Sequence, residues 1–203
     1  MNNTLRPIDI EKHILAHDVQ WLVTQFDTNN AEFVENFPNY LNETQIKRLC
    51  QDVFDFYKEV GFSQYRHLSS TVGQYENTTH LNMSFTLGGC TIGDARPSDG
   101  RVRLSKTWLF NRSAQDLASV VFETIPHELA HVVHFGIAMT RPGVSTEECL
   151  RLRDASWSKP RRITSTPRFL AHGKVWKSIY SNMTGWKIKN RFFKGMTVNS
   201  EVR

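Results

Sequence analysis

Two histidines four residues apart stand in an apolar stretch, and this spacing constrains the local fold more than any other feature of the chain. His127 and His131 occur in the sequence TIPHELAHVV. Residues four apart lie one above the other on an α-helix, so a helix presents both imidazole rings on one face. Leu129, Val132 and Val133 then form an apolar face that can pack on a core. The pattern predicts a partly buried helix with two polar rings on a separate face.

The same residues form the pattern HExxH, which has a direct chemical interpretation. Imidazole nitrogens are standard ligands of Zn²⁺, and His127 and His131 can reach one ion from adjacent turns. Glu128 can reach a water on that ion from the side. Because zinc lowers the pKa of such a water to about 7, a carboxylate can accept its proton at neutral pH. Glu128 is the candidate general base. The alternative is a pair of hydrogen-bonded core histidines.

A catalytic zinc site needs a third protein ligand and one open position for water. The metzincin pattern would require Gly at position 134 and His at position 137, whereas this chain has His134 and Ile137 there. Glu147 or Glu148 is one candidate for the third ligand. His172 is the preferred candidate, because imidazole is a standard third ligand and this residue opens the last predicted helix. His134 is expected to lie near the site without binding the metal.

Apolar spacing predicts the other helices. A first helix is expected over residues 9–26, followed by a polar break over 27–30. Asn42 and Gln45 stand in capping-box positions before an apolar stripe that runs from Ile46 to Val60, so a second helix is predicted to end at Gly61. Ser113 and Asp116 form a similar box before a third helix with a buried face of Leu117, Val120 and Val121.

Alternating hydrophobicity between residues 65 and 105 predicts three or four antiparallel strands. Leu81, Met83, Phe85 and Leu87 alternate with polar residues, and Val102 and Leu104 do so after an Asp-Gly turn. Pro126 lacks a backbone donor, so a kink or a break is expected just before the histidine motif. A short amphipathic helix is predicted to carry the apolar residues Val175, Trp176, Ile179, Tyr180 and Met183, with Gly185 after it.

The sequences PHELAH and AHGKVWKSIYSNM resemble the SprT-like metalloproteases, a family that includes the Spartan proteases of DNA-protein crosslink repair. The resemblance extends to GGCTIGDARPSDGRVRLSKTWLFN at 88–111 and covers roughly residues 45–185. It implies an α+β, zincin-like SprT domain, with a small antiparallel sheet packed on helices that include the HExxH helix. It also implies Zn²⁺ held by His127, His131 and His172, with Glu128 as the base.

The implied domain spans residues 41–195, after an acidic helical segment at 1–40 that packs on the domain or precedes it, and before a flexible tail at 196–203. The implied activity is that of a zinc endopeptidase acting on proteins crosslinked to DNA or bound near it. Two rival functions remain. One is a non-proteolytic module that binds nucleic acid or protein around a structural zinc, and the other is a metal-dependent hydrolase of a different bond, such as an amidase.

Charge favours a polyanionic partner. Residues 1–60 hold 5 Lys and Arg against 10 Asp and Glu, whereas residues 61–203 hold 20 against 10. DNA, single-stranded or structured and bound without sequence preference, is the expected second partner beside the protein substrate. The alternatives are a solvated basic loop and a tail strand that buries its aromatic residues. The candidate nucleic-acid contacts are Arg161, Arg162, Lys187, Lys189, Arg191 and Lys194.

Other features narrow the location. The three cysteines are far apart and form no CxxC pair, which indicates neither a disulfide framework nor a zinc ribbon. No apolar run is long enough to span a membrane, and the first residues lack the features of a secretory signal. A cytoplasmic location without membrane contact is therefore expected, near the nucleoid if the protein acts on DNA, or in the host cytoplasm if it is encoded by a virus.

Overall fold

The computed structural model describes residues 5–64, 82–87, 91–96, 101–139 and 172–185. Within these ranges the fold is α+β, dominated by helices around a small three-stranded sheet. None of the helices there is long and apolar enough to cross a membrane. The elements are α1 (Pro7–Leu15), α2 (Val19–Thr28), α3 (Asn30–Glu35), α4 (Glu43–Gln64), β1 (Asn82–Leu87), β2 (Gly93–Arg96), β3 (Arg101–Ser105), α5 (Lys106–Phe110), α6 (Ala114–Ser119), a π turn (Val120–Thr124), α7 (Ile125–Met139) and α8 (Lys174–Thr184).

The single helix expected over residues 9–26 was wrong, because the chain forms two helices there. Asp18 caps α2 by accepting a hydrogen bond from the Trp21 backbone N–H at 3.2 Å. The turn between α1 and α2 holds His17 at a φ of 57°, a left-handed conformation that no helix continues through. Leu15, the last residue of α1, is 55% exposed. A local cap therefore replaced a helical turn that the apolar spacing alone favoured.

The prediction for α4 was right at its start and wrong at its end. Asn42 and Gln45 form reciprocal side-chain to backbone hydrogen bonds of 2.9 and 3.0 Å. Gly61, however, does not stop the helix, which continues to Gln64. A Cβ at Gly61 would lie 3.0 Å from the Met183 Cε atom. The glycine therefore allows α8 to approach α4 closely, and it does not act as a C-cap.

The sheet is mixed, so the expectation of purely antiparallel strands was wrong. Its strand order is β1-β3-β2. The outer strand β2 pairs with β3 in antiparallel fashion, with Ala95 opposite Val102, while β1 pairs with β3 in parallel, with Met83 also opposite Val102. Alternating hydrophobicity identifies the strands but depends only on one chain segment at a time, so it does not fix the direction of a partner strand.

Pro126 does not break the helix that precedes the histidine motif. The chain passes from α6 through the π turn into α7, and the Ile125 backbone N–H donates to the Val120 carbonyl in an i→i+5 bond. Pro126 follows directly, and because it has no N–H it cannot donate a hydrogen bond to the preceding turn. The irregularity predicted from the proline takes the form of a π turn. The capping box of Ser113 and Asp116 is confirmed at the start of α6.

One buried cluster runs through the described residues, from Ile10 of α1 to Met183 of α8. Helix α7 lies at its centre and packs against α4, α8 and β2. The buried faces predicted for α6 and for α8 are confirmed at Leu117 and Trp176. Burial of each large apolar side chain contributes roughly 1.5–3 kcal/mol. The histidine motif therefore lies on one of the most firmly packed helices of the fold.

Candidate metal centre

Three histidine side chains meet between α7 and α8. His127 and His131 lie one turn apart on α7, and His172 lies just before the Gly173 N-cap of α8. The Nε2 atom of His127 is 3.3 Å from that of His131 and 3.1 Å from that of His172. The ligand atoms of all three lie within 4.8 Å of one another. The structure thus brings together the three residues that the sequence singled out, across 45 positions of the chain.

Two of these separations fit the spacing of ligand nitrogens around a tetrahedral metal ion. With Zn–N bonds of about 2.0–2.1 Å and tetrahedral angles, two ligand nitrogens lie about 3.3 Å apart. The Nε2 separations of 3.3 Å from His127 to His131 and 3.1 Å from His127 to His172 agree with that value. A fourth position stays available for water or substrate when only three protein ligands are used. The three histidines could therefore hold a metal ion.

Burial keeps the three imidazoles in the neutral form that binds metal. It lowers the pKa of His127 to about 3 and that of His172 to about 4. Burial also lowers the pKa of His131 well below its ordinary value, and the neighbouring His127 and His172 act in the same direction. Metal ions compete with protons for these nitrogens, so a depressed pKa leaves the site ready to bind at neutral pH.

Trp176 supports all three rings from below. Its ring centroid lies 4.7 Å from that of His127, 5.2 Å from that of His131 and 4.7 Å from that of His172. The side chain is fully buried. Because the indole fills the space behind the imidazoles, it restricts their rotation and holds their Nε2 atoms in a common direction. The sequence predicted Trp176 as an anchor of the last helix, but not this contact with the ligands.

Glu128 lies beside the histidine cluster. Its Oε1 atom is 3.9 Å from the His127 Nε2 atom, and the side chain is buried. Burial and, to a smaller extent, the nearby Asp94 together raise the pKa of Glu128 to about 8, although a hydrogen bond from the Ala95 backbone N–H acts in the opposite direction. A cation held by the histidines would lower this pKa, since it favours the carboxylate. Within the described part of the chain, the Glu128 Oε2 atom is buried without a hydrogen-bond partner.

Strand β2 lies against the side of α7 that carries Glu128. A Cβ at Gly93 would lie 2.6 Å from the Thr124 Cγ2 atom and 3.3 Å from the Glu128 Cγ atom, so only glycine allows this approach. The next residue, Asp94, forms an ion pair with Arg103 of β3. Sequence reasoning missed Gly93 as part of the site. The only signal was a lone glycine in a strand-forming segment, which indicates close backbone approach.

A cleft of about 250 Å³ opens at this point. Its floor includes His127 and Glu128, so the candidate base and one candidate ligand share an open space with any molecule bound there. Sequence reasoning also missed the part that Tyr180 takes in the cleft, because its helical spacing indicated only a buried face. The lining residues are Ile92, Gly93, Glu123, Thr124, His127, Glu128 and Tyr180.

The remaining predicted residues divide into two groups. His134 is buried on α7, close enough to lower the pKa of His131 and His172, and it is not part of the three-histidine cluster. Cys50 is buried and reduced. The other residues lie outside the described part of the chain, so their predictions stay predictions. They are Cys90, Glu147, Cys149, Glu148, Arg161, Arg162, Lys187, Lys189, Arg191 and Lys194.

No protein-family model matches this chain, and neither does any curated protein or solved structure. The resemblance to SprT-like metalloproteases therefore stays a prediction from two sequence motifs. The described residues establish by themselves three histidines able to hold a metal ion, with a buried carboxylate and a cleft beside them.

Proposed function

We propose that the protein is a zinc-dependent endopeptidase that resembles the SprT-like proteases and cleaves proteins bound or crosslinked to DNA. One observation carries the hydrolytic part of the proposal. Glu128 lies 3.9 Å from the His127 Nε2 atom, and both residues line the same cleft. A purely structural metal site would have no use for a buried carboxylate next to an open space, because burying that charge costs free energy.

The residues divide the work of hydrolysis in a simple way. His127, His131 and His172 would hold the zinc ion, which activates water and polarises a carbonyl group when it is bound. Glu128 accepts a proton from the attacking water and then gives it to the amine that leaves. Trp176 keeps the imidazoles aligned. The narrow approach of β2 at Gly93 fixes the side of α7 from which Glu128 acts.

The substrate part of the proposal rests on charge and on the family resemblance. The 20 Lys and Arg among residues 61–203 favour contact with phosphate groups, and such contacts do not depend on base sequence. A cytoplasmic enzyme of this kind would meet DNA-bound proteins directly. The substrate would thus be recognised by its attachment to DNA more than by its own sequence.

The second candidate function is a non-proteolytic module with a structural zinc. Structural zinc sites use four protein ligands, whereas the described cluster contains three histidines and a cleft. This difference favours the enzyme. A metal-dependent amidase shares the same centre, and only the substrate separates it from a peptidase.

Metal analysis tests the centre first. Purified wild-type protein should contain one zinc per chain, and His172→Ala should lose it. His134→Asn is the matched control, because His134 is a buried histidine of α7 that lies outside the cluster. Equal zinc in wild type and His172→Ala would remove the third ligand from the proposal.

Cleavage assays test the activity. A small basic protein crosslinked to a single-stranded oligonucleotide should be cut by the wild type and left intact by Glu128→Gln, which should keep its zinc. Glu59→Gln, on the exposed face of α4, is a charge-matched control that should cut normally. Absence of cleavage by zinc-loaded wild type, with and without DNA, would favour the binding module. Cleavage that ignores the DNA would separate the peptidase from its proposed substrate.

A further inference from the structure

Hydrolysis of a peptide bond places negative charge on the carbonyl oxygen, and a hydrogen-bond donor aimed at that oxygen is worth roughly 10²–10³ in rate. The cleft offers few side chains that can donate. Glu123 and Glu128 accept hydrogen bonds when ionised, and His127 belongs to the metal cluster. The two lining side chains with an O–H group are Thr124 and Tyr180.

Tyr180 is the better placed of the two. Its ring centroid lies 6.1 Å from that of His127, which puts the phenol beside the metal cluster on the α8 side of the cleft. Thr124 lies on the opposite side, in the π turn, with its methyl group directed at Gly93. Burial raises the pKa of the Tyr180 phenol above its ordinary value, and the nearby carboxylates of Glu123 and Asp27 act in the same direction, so the phenol keeps its proton at neutral pH.

The orientation of the Tyr180 ring is fixed. It stacks on the Trp176 ring with centroids 5.2 Å apart and an angle of 9° between the planes. Trp176 is itself fully buried and contacts the three histidines. Since Trp176 and Tyr180 lie one turn apart on α8, the same helix that follows His172 also holds the phenol in place.

The Tyr180 hydroxyl belongs to a largely buried side chain that lines the cleft. It forms no hydrogen bond with the residues that the structure describes, and it is not among their fully buried unpartnered polar atoms. Tyr57 offers a direct comparison, because its hydroxyl is buried and unpartnered within the same described ranges. Of these two tyrosines, Tyr180 lines the cleft and Tyr57 does not. A preorganised donor that faces an open site is what transition-state stabilisation requires.

We infer that the Tyr180 hydroxyl donates a hydrogen bond to the scissile carbonyl oxygen as that oxygen gains negative charge. This inference rests on the proposed peptidase function. In the reaction, the water oxygen bonds to the carbonyl carbon, the water proton passes to Glu128, and the C–N bond then breaks as that proton reaches the amine. Tyr180 keeps its own proton throughout and returns to its unbonded state when the product leaves.

Tyr180→Phe tests the inference, because it removes the hydroxyl and keeps the ring that stacks on Trp176. Tyr57→Phe is the matched control, with the same chemical change at a buried neighbour. Two quantities are measured on zinc-loaded protein: the rate of substrate cleavage, and the affinity for a dipeptide phosphonate, whose tetrahedral phosphorus carries anionic oxygens like those of the transition state. The phosphonate measurement needs no turnover.

We expect Tyr180→Phe to keep its zinc and its KM while kcat falls about 10²-fold or more. Affinity for the phosphonate should fall by a similar factor, and Tyr57→Phe should match wild type in both assays. If Tyr180→Phe cleaves the substrate and binds the phosphonate as well as wild type does, the role of Tyr180 is overturned and the peptidase proposal stays intact. Loss of zinc from Tyr180→Phe would also overturn the role, because it would make Tyr180 a structural residue. If wild type does not cleave, the peptidase proposal fails, and equal or absent phosphonate binding in wild type and Tyr180→Phe overturns this inference as well.

Discussion

Replacing Gly93 by alanine should both destabilise the fold and slow the proposed hydrolysis, because the added methyl group has no room. The new Cβ would lie 2.6 Å from the Thr124 Cγ2 atom. Two carbon atoms prefer a separation of about 3.5–4.0 Å, so strand or helix must move by about 1 Å. Thr124 cannot easily turn away, since a β-branched side chain in a helical segment has little rotamer freedom.

The expected cost is about 1–3 kcal/mol of unfolding free energy, typical of an overpacked core. For a chain of this length each kcal/mol lowers the melting temperature by roughly 2–4 °C. The movement also displaces Glu128, whose Cγ atom would be 3.3 Å from the new methyl group. A misplacement of about 1 Å can cost 10²-fold in rate. Zinc content should not change, because none of the three closest atoms belongs to a candidate ligand.

A double-mutant cycle with Thr124→Ser isolates the cause. Serine keeps the hydroxyl and removes the Cγ2 atom that meets the new methyl group. Chemical denaturation of the four proteins should show that Gly93→Ala destabilises less in the Thr124→Ser background, with a coupling energy of about 1 kcal/mol or more. Additive effects, or a Gly93→Ala protein as stable as wild type, would refute the idea that this contact sets the distance between β2 and α7.

Three further predictions follow from the site. Chelation of the metal should lower the melting temperature, and readdition of zinc should restore it, since a ligand present at about 1,000 times its Kd stabilises the folded state by about 4 kcal/mol. An unchanged melting temperature would count against a metal that links α7 to α8. Trp176→Ala should lower the free energy of unfolding by about 3–5 kcal/mol and weaken zinc binding, because it leaves a cavity behind the three histidines. Phe122→Ala, at an equally buried core position, should lower the free energy of unfolding without a specific loss of zinc. In metal-free Glu128→Gln protein, the free energy of unfolding should be largest above a pH of about 6.5, where unfolded histidine titrates, and should fall towards pH 4. The reason is that burial lowers the pKa of His127 to about 3 and of His172 to about 4 in the folded state. Denaturation midpoints that do not change across this range would contradict the prediction. The Gln variant is needed because the raised pKa of Glu128 acts with the opposite sign.

The sequence was most informative where structure depends on local spacing. The HExxH helix follows from residues four apart, and the capping boxes at Asn42 and Ser113 follow from residues three apart. The position of His172 was chosen by chemistry, and the structure brings it to the other two histidines. Each of these features is decided within one or two turns of a helix, or by the type of side chain that a metal ion would require.

Sequence reasoning failed where the outcome depends on a distant segment. The partner and direction of β1 are set by pairing with β3, which no pattern within β1 encodes. Gly61 looked like a helix stop, but its role is decided by Met183 of α8. Tyr180 looked like one more buried position of an amphipathic helix. Its relation to His127 and to the cleft appears only when α7 and α8 are packed together.

The π turn at Val120–Thr124 changes how the helical segment can be altered. A π turn takes up one more residue than an α turn, which rotates everything after it by about 100° relative to a regular helix. Within the turn, Val120, Val121 and Phe122 are buried in the core, while downstream His127 and Glu128 line the cleft. The five-residue turn thus sets the rotation of α7 that directs its histidine motif towards the cleft. Deleting a single residue there would leave all three histidines in the sequence but rotate His127 and His131 away from His172.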